Sequence, residues 1–177
     1  MSPDEQDGLA GMFEVPEGAG HPALIAQRLL QLPEHSHLRE GEATIEWLFR
    51  ADPKIQAGRQ ILGTCYMPTV QGSLRDFFLW MLERLFGHLP DFLIVLDKGY
   101  WDTCGDRRRE ILVYHELLHA VQARDKYDAP KFDKTGRPVW ALKGHDVEEF
   151  SATVRRYGAW NEDIEQFVAA ANEGGHA

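Results

Sequence analysis

At 177 residues, with 44% apolar and 27% charged side chains, the chain has the composition of a soluble globular protein large enough to bury one core. Its net charge of −9 excludes a broad nucleic-acid-binding surface, which needs a basic field; Arg107-Arg108-Arg109 and Arg155-Arg156 read as solvated helix faces. Cys65 and Cys104 stand far apart and form neither a zinc knuckle nor a Cys-x-x-Cys redox pair, so a reduced chain is the default.

In chain order, residues 1 to about 20 carry Pro, Gly, Asp and Glu with few apolar anchors, and a flexible N-terminal tail is expected before a single domain over 21–177. That N-terminus is acidic and lacks the basic-then-apolar layout of a signal peptide, so a cytoplasmic chain is expected. The apolar runs Phe77 to Leu82 and Phe92 to Leu96 are too short to cross a bilayer, and no membrane partner is expected. A short helix is predicted from Pro22 to Leu32, buried through Ala23, Leu24, Ile25, Leu29 and Leu30 and ended by Pro33. His35 and His37 follow in what reads as a solvated polar loop.

Glu42 to Arg50 has an ambiguous period, helix or strand. Arg59 to Met67 is rich in β-formers and predicts a strand that Pro68 stops. Ser73 to Phe86 predicts an amphipathic helix capped by Ser73, with Phe77, Phe78, Trp80, Met81, Leu82 and Leu85 in the core and Gly87 closing it. Asp91 to Asp97 is apolar on both faces and predicts a buried strand. Either it is internal, or its free edge accepts an extended peptide by β-augmentation. Gly99 to Gly105 turns the chain into the next helix.

That helix, Arg107 to Arg124, carries His115-Glu116-Leu117-Leu118-His119, a His-Glu-x-x-His pattern. Histidines four apart project from one helical face, so their imidazoles can converge on a single ion. Glu116, one residue after the first, can serve as the base: zinc lowers the pKa of a water it binds to about 7, and a carboxylate takes the proton as a carbonyl is attacked. The apolar residues Ile111, Leu112, Leu117, Leu118 and Val121 supply the helical context that the motif needs, with Asp106 near its start.

Residues 125 to 144 read as a long polar loop that can cover a cleft. Helices are then predicted from Asp146 to Tyr157, ended by Gly158, and from Asn161 to about Asn172. A catalytic zinc takes three protein ligands and keeps one open position. Asp125 stands where a longer motif places its third ligand, but Gln122 replaces the Gly that turns the chain there. In an unbroken helix Asp125 is rotated about 120° from His119. The remaining candidates are His145, favoured by zinc's preference for imidazole, and alternatively Glu149 or Glu148; Asp146 and Glu149 also fit a capping box. Tyr157, Tyr127, Tyr100 and His88 are the candidates for stabilising an oxyanion.

The string His115 to Ala120, followed by Gly144-His145-Asp146-Val147-Glu148-Glu149-Phe150, resembles the SprT-like (Spartan-type) zinc metallopeptidases. It is more similar still to the putative phage metallopeptidase family, whose layout the Arg59-to-Met67 strand, the Phe92-to-Leu96 strand and Arg155-Arg156-Tyr157-Gly158-Ala159-Trp160 also fit. The resemblance covers about residues 40 to 160. It implies His145 as third ligand, since SprT-like enzymes place a histidine shortly before a Phe, here Phe150. It implies a bacterial or phage-infected host cell as the setting. The expectation is an α+β zincin-like domain, a small sheet packed on the zinc helix, that hydrolyses peptide bonds in a peptide or protein substrate with Zn2+ as cofactor and Glu116 as general base. The alternatives are a non-catalytic, metal-stabilised module that binds a partner, and a zinc hydrolase acting on another amide.

Overall fold

The apolar run near the middle of the chain dictates the architecture. In the computed structural model, which describes residues 11–147, 151–160 and 162–174, that run is the strand at the centre of a four-stranded sheet. The strands of this sheet are β1 (Phe13–Glu14), β2 (Ile45–Arg50), β5 (Gly63–Tyr66) and β6 (Phe92–Asp97), in the order β1-β2-β6-β5. Being apolar on both faces, β6 belongs where both faces are covered. It pairs parallel to β2 (Trp47 opposite Ile94) and antiparallel to β5 (Cys65 opposite Ile94). The free edge considered for this strand is therefore absent. The edge lies one strand further out, on β5.

Trp47, Phe49, Phe92, Ile94 and Leu96 point to one side of the sheet. There they meet Ala26 and Leu29 of α1 (Pro22–Leu29) and Leu112, Val113 and Leu117 of α5 (Asp106–His119). Full burial of each large apolar side chain contributes about 1.5–3 kcal/mol, so this layer holds the sheet and α5 together. Asp97, at the end of β6, caps α4 (Lys98–Thr103) by accepting the Tyr100 N–H at 2.7 Å, so a short helix replaces the expected turn.

Several expectations are corrected. The stretch 13–14, assigned to the tail, is tied to β2 as β1: Phe13 lies under the Arg50 guanidinium and Glu14 pairs with Lys98 at 3.0 Å. The ambiguous stretch 42–50 is strand. The Arg59-to-Met67 run is two strands: β3 (Lys54–Gln56) turns back as β4 (Arg59–Ile61), and β5 begins only at Gly63. The turn between β3 and β4, Ala57-Gly58, has both residues at positive φ, the geometry that matches strand twist in a two-residue hairpin. The helix α2 (Ser36–Glu40) and the 3-10 turn Pro33–His35 occupy the supposed loop, and His35 is fully buried. In α3 (Arg75–Phe86) no Ser73 cap forms, and of the six residues expected in the core only Leu82 is buried.

The polar stretch 125–144 is largely an antiparallel ribbon. β7 (Ala120–Gln122) pairs with β8 (Trp140–Leu142), and bridges at Arg124–Pro130 and Phe132–Pro138 continue it. Asp125 and Asp133 each accept two backbone N–H groups at its turns, satisfying main chain that an open loop leaves to water. The contacts divide the chain into two units, residues 1–143 and 144–177. In the second, α6 (Ser151–Tyr157) ends at Gly158, whose φ of 75° suits glycine, and α7 (Glu162–Glu173) follows. Among the described residues no helix is long and apolar enough to cross a membrane.

Candidate metal centre

On α5 a period of 3.6 residues separates two environments. Val113, Glu116, Leu117 and Ala120 fall on the buried side; Ile111, His115 and Leu118 are exposed, with His119 half-buried between. The apolar stripe expected from the sequence is thus divided: Leu112 and Leu117 face the core, whereas Ile111 and Leu118 flank the histidines. The rings of His115 and His119 lie edge to face, centroids 5.1 Å apart.

The helix ends at His119. The predicted continuation to Arg124 gives way because residues 120–122 join β8, and Lys143 N–H donates to the His119 carbonyl at 2.8 Å. That ending builds the site. It carries the Lys143 carbonyl back beside the ring of His119, 2.7 Å from Nδ1. A carbonyl only accepts, so the proton of the His119 ring sits on Nδ1, the tautomer that a metal ligand bound through Nε2 needs. His37 supports the same corner, donating from Nε2 to the Ala120 carbonyl at 2.9 Å.

Glu116 is a carboxylate in the core, 3% exposed. It accepts the Cys65 N–H of β5, while Oε2 is buried with no hydrogen-bond partner among the described residues. Burial pushes its pKa up to about 7, and the Cys65 N–H offsets only part of this. Its room comes from Gly63: a Cβ there would lie 2.7 Å from Glu116 Cδ. Burial, with the nearby Glu116 charge, also pushes the Cys65 thiol up to about 12, which leaves it a protonated packing group. An orphaned buried carboxylate oxygen costs about 1–3 kcal/mol or more, so this one calls for a function. It sits between two histidines in sequence, one of them with its tautomer set for metal. The donor chemistry fits a divalent ion.

His145 stands two residues beyond Lys143, the residue anchored at His119. It belongs to the second unit, His115 and His119 to the first. The alternative ligands Glu148 and Glu149, like Phe150, lie outside the described residues. The helix assumed in setting Asp125 aside is not continuous. Its carboxylate is instead engaged within its own turn, taking the Tyr127 and Ala129 N–H groups. Of the oxyanion candidates, His88 pairs with Glu46 at 3.2 Å and Tyr100 packs against the core, while Tyr127 and Tyr157 are exposed.

The sequence reading gives no role at this site to Gly63, Cys65, His37 or the Lys143 carbonyl, placing His37 in a solvated loop and Cys65 outside any zinc or redox motif. Gly63 alone left a signal, an isolated glycine in a strand pattern, which marks close approach of another group.

No curated protein and no solved structure gave a match. The family model described as "Putative phage metallopeptidase" matches residues 19–172, nearly the whole chain and both units, and with it the chain belongs to the putative phage metallopeptidase family.

Proposed function

We propose that the protein is a zinc-dependent peptidase of the His-Glu-x-x-His type, with a zincin-like packing of α5 on the sheet. His115, His119 and His145 hold the ion, and Glu116 is the general base. The observation that carries this is the state of Glu116: buried, one oxygen with no partner among the described residues, and its pKa raised to about 7, where a base can both take and return a proton near neutral pH. A divalent ion at the histidines supplies Lewis acidity, polarising a carbonyl and making water a better nucleophile.

Glu116 takes the proton of the attacking water at a carboxylate oxygen and delivers it to the departing amine. Cys65, through its N–H, holds the other side of that carboxylate in place. The substrate is a peptide or protein in extended form, because β5 is an edge strand beside Glu116 and can pair with one. Ile111 and Leu118, exposed beside His115, offer apolar contact to its side chains.

The test uses the full chain, an unfolded protein as substrate, and metal analysis of the purified material. Cleavage is expected to stop on chelation and return with zinc. Glu116→Gln is expected to lose about 10²–10⁴-fold in rate while keeping its metal. A Glu116→Gln protein that cleaves at the native rate, or a folded chain that takes up no transition metal, overturns the proposal.

A further inference from the structure

On the side of the sheet away from Glu116, α3 lays Phe78, Met81, Leu82 and Leu85 over Leu48, Leu93 and Val95 without filling the space between them. A cavity of about 480 Å³ remains, a size at which small-molecule sites are ordinarily found. Its walls are largely apolar; the charged residues Arg50, Lys54 and Asp97 line it at the end where β2 and β6 finish, and Thr64 and Tyr66 line it along β5. Unfilled apolar space is unfavourable, since its lining loses contacts that a packed core would make.

The charges at that end do not cancel. Arg50 and Asp97 are opposite one another in the β2–β6 register, yet Asp97 is turned elsewhere. Its Oδ2 accepts from Gln60 Nε2 at 3.0 Å and its Oδ1 from the Tyr100 N–H. Lys54 Nζ lies beside the neutral Tyr66, 3.4 Å from its hydroxyl. Arg50 stacks on the Phe13 ring, and its Nε is buried with no acceptor among the described residues. Among the described residues neither cation has a carboxylate within ion-pair distance. In a chain of net charge −9, two cations against one carboxylate, Asp97, in the lining of one apolar cavity are unexpected.

We infer that this cavity binds a fatty-acid-like ligand, an unbranched apolar chain that lies between α3 and the sheet and ends in a carboxylate accepting from Arg50 and Lys54. The chain supplies the missing contacts, and the carboxylate satisfies the orphaned Arg50 Nε–H in a charge-assisted bond. A purely apolar ligand leaves that donor unpaired, and a larger polar one does not fit the walls. The inference is independent of the proposed metal site; α5, which carries Glu116, packs on the opposite face of the sheet.

Calorimetric titration of the full-length protein with decanoate, and separately with decanol, tests it. Decanoate is expected to saturate at one per chain and to bind about tenfold or more tightly than decanol. Arg50→Gln is expected to bring decanoate down to the level of decanol, and Lys54→Gln, at the half-exposed rim, to weaken it less, with both variants melting like the parent. No saturable decanoate binding, equal affinity for acid and alcohol, or full decanoate affinity in folded Arg50→Gln or Lys54→Gln would each overturn it.

Discussion

The two faces of the four-stranded sheet are built to different standards. On the α5 face, Trp47, Phe92, Ile94, Leu96, Val113 and Leu117 are all at most 1% exposed. On the α3 face, Leu48, Leu93 and Val95 are half-buried, a cavity persists, and Phe77, Trp80, Met81 and Leu85 of α3 stay exposed. A close-packed layer transmits position from one side chain to the next, whereas a layer with a gap leaves room for something else. The face that must hold Glu116 against Cys65 is the closed one. Precision and accommodation are divided across one sheet.

Core truncation tests this division most severely. Leu117→Ala should cost about 2–5 kcal/mol in urea unfolding, because it opens a void in a layer that cannot collapse. Leu85→Ala on α3, already 51% exposed, should cost less than about 1 kcal/mol. Equal losses would mean that the faces are not distinct. Addition of volume is the converse. Gly63→Ala should cost about 1–3 kcal/mol by overpacking and displace Glu116, so that peptidase activity falls as stability does. Val95→Ile, directed into the cavity, should change stability by no more than about 0.5 kcal/mol in the destabilising direction.

A pH-dependent effect concerns the buried His35, whose two ring nitrogens have no hydrogen-bond partner among the described residues and whose ring packs edge-on to Tyr114 at 5.3 Å. Burial holds its pKa below 6.5; Glu34 opposes this and His37 adds to it. The unfolded chain therefore binds a proton that the folded chain resists. The stability associated with neutral His35 is complete above about pH 6.5 and is lost as pH falls through the lower folded value, by no more than about 1.4 kcal/mol per pH unit. Melting curves from pH 8 to 5.5 should show a steeper decline in the native protein than in His35→Phe; parallel declines would show that His35 is not the titrating group.

What could be read in advance depended on the range of the interaction. The β6 run announced a central strand because every residue in it is apolar. Gly87 stopped α3 as expected, adopting φ of 80°. The helix of the His-Glu-x-x-His motif was legible at its start but not at its end. Nothing local forbids a helix through Gln122; the competing hydrogen bonds come from residues 140–143, some twenty positions on. The burial of α3 was overestimated for a related reason. Phe77 and Trp80 are apolar, but among the described residues no element packs over that side of the helix.

By itself the amino-acid order determined that two imidazoles and one carboxylate share a helix, since a spacing of four residues is a matter of backbone geometry alone. It also determined the central strand, through unbroken apolar character. Only the folded chain decided that Glu116 faces inward with its pKa near 7, that His119 carries its proton on Nδ1, and that a cavity lies under α3. Each of those depends on groups brought together from distant positions: Gly63 and Cys65 for the first, Lys143 for the second, Leu48, Leu93 and Val95 for the third.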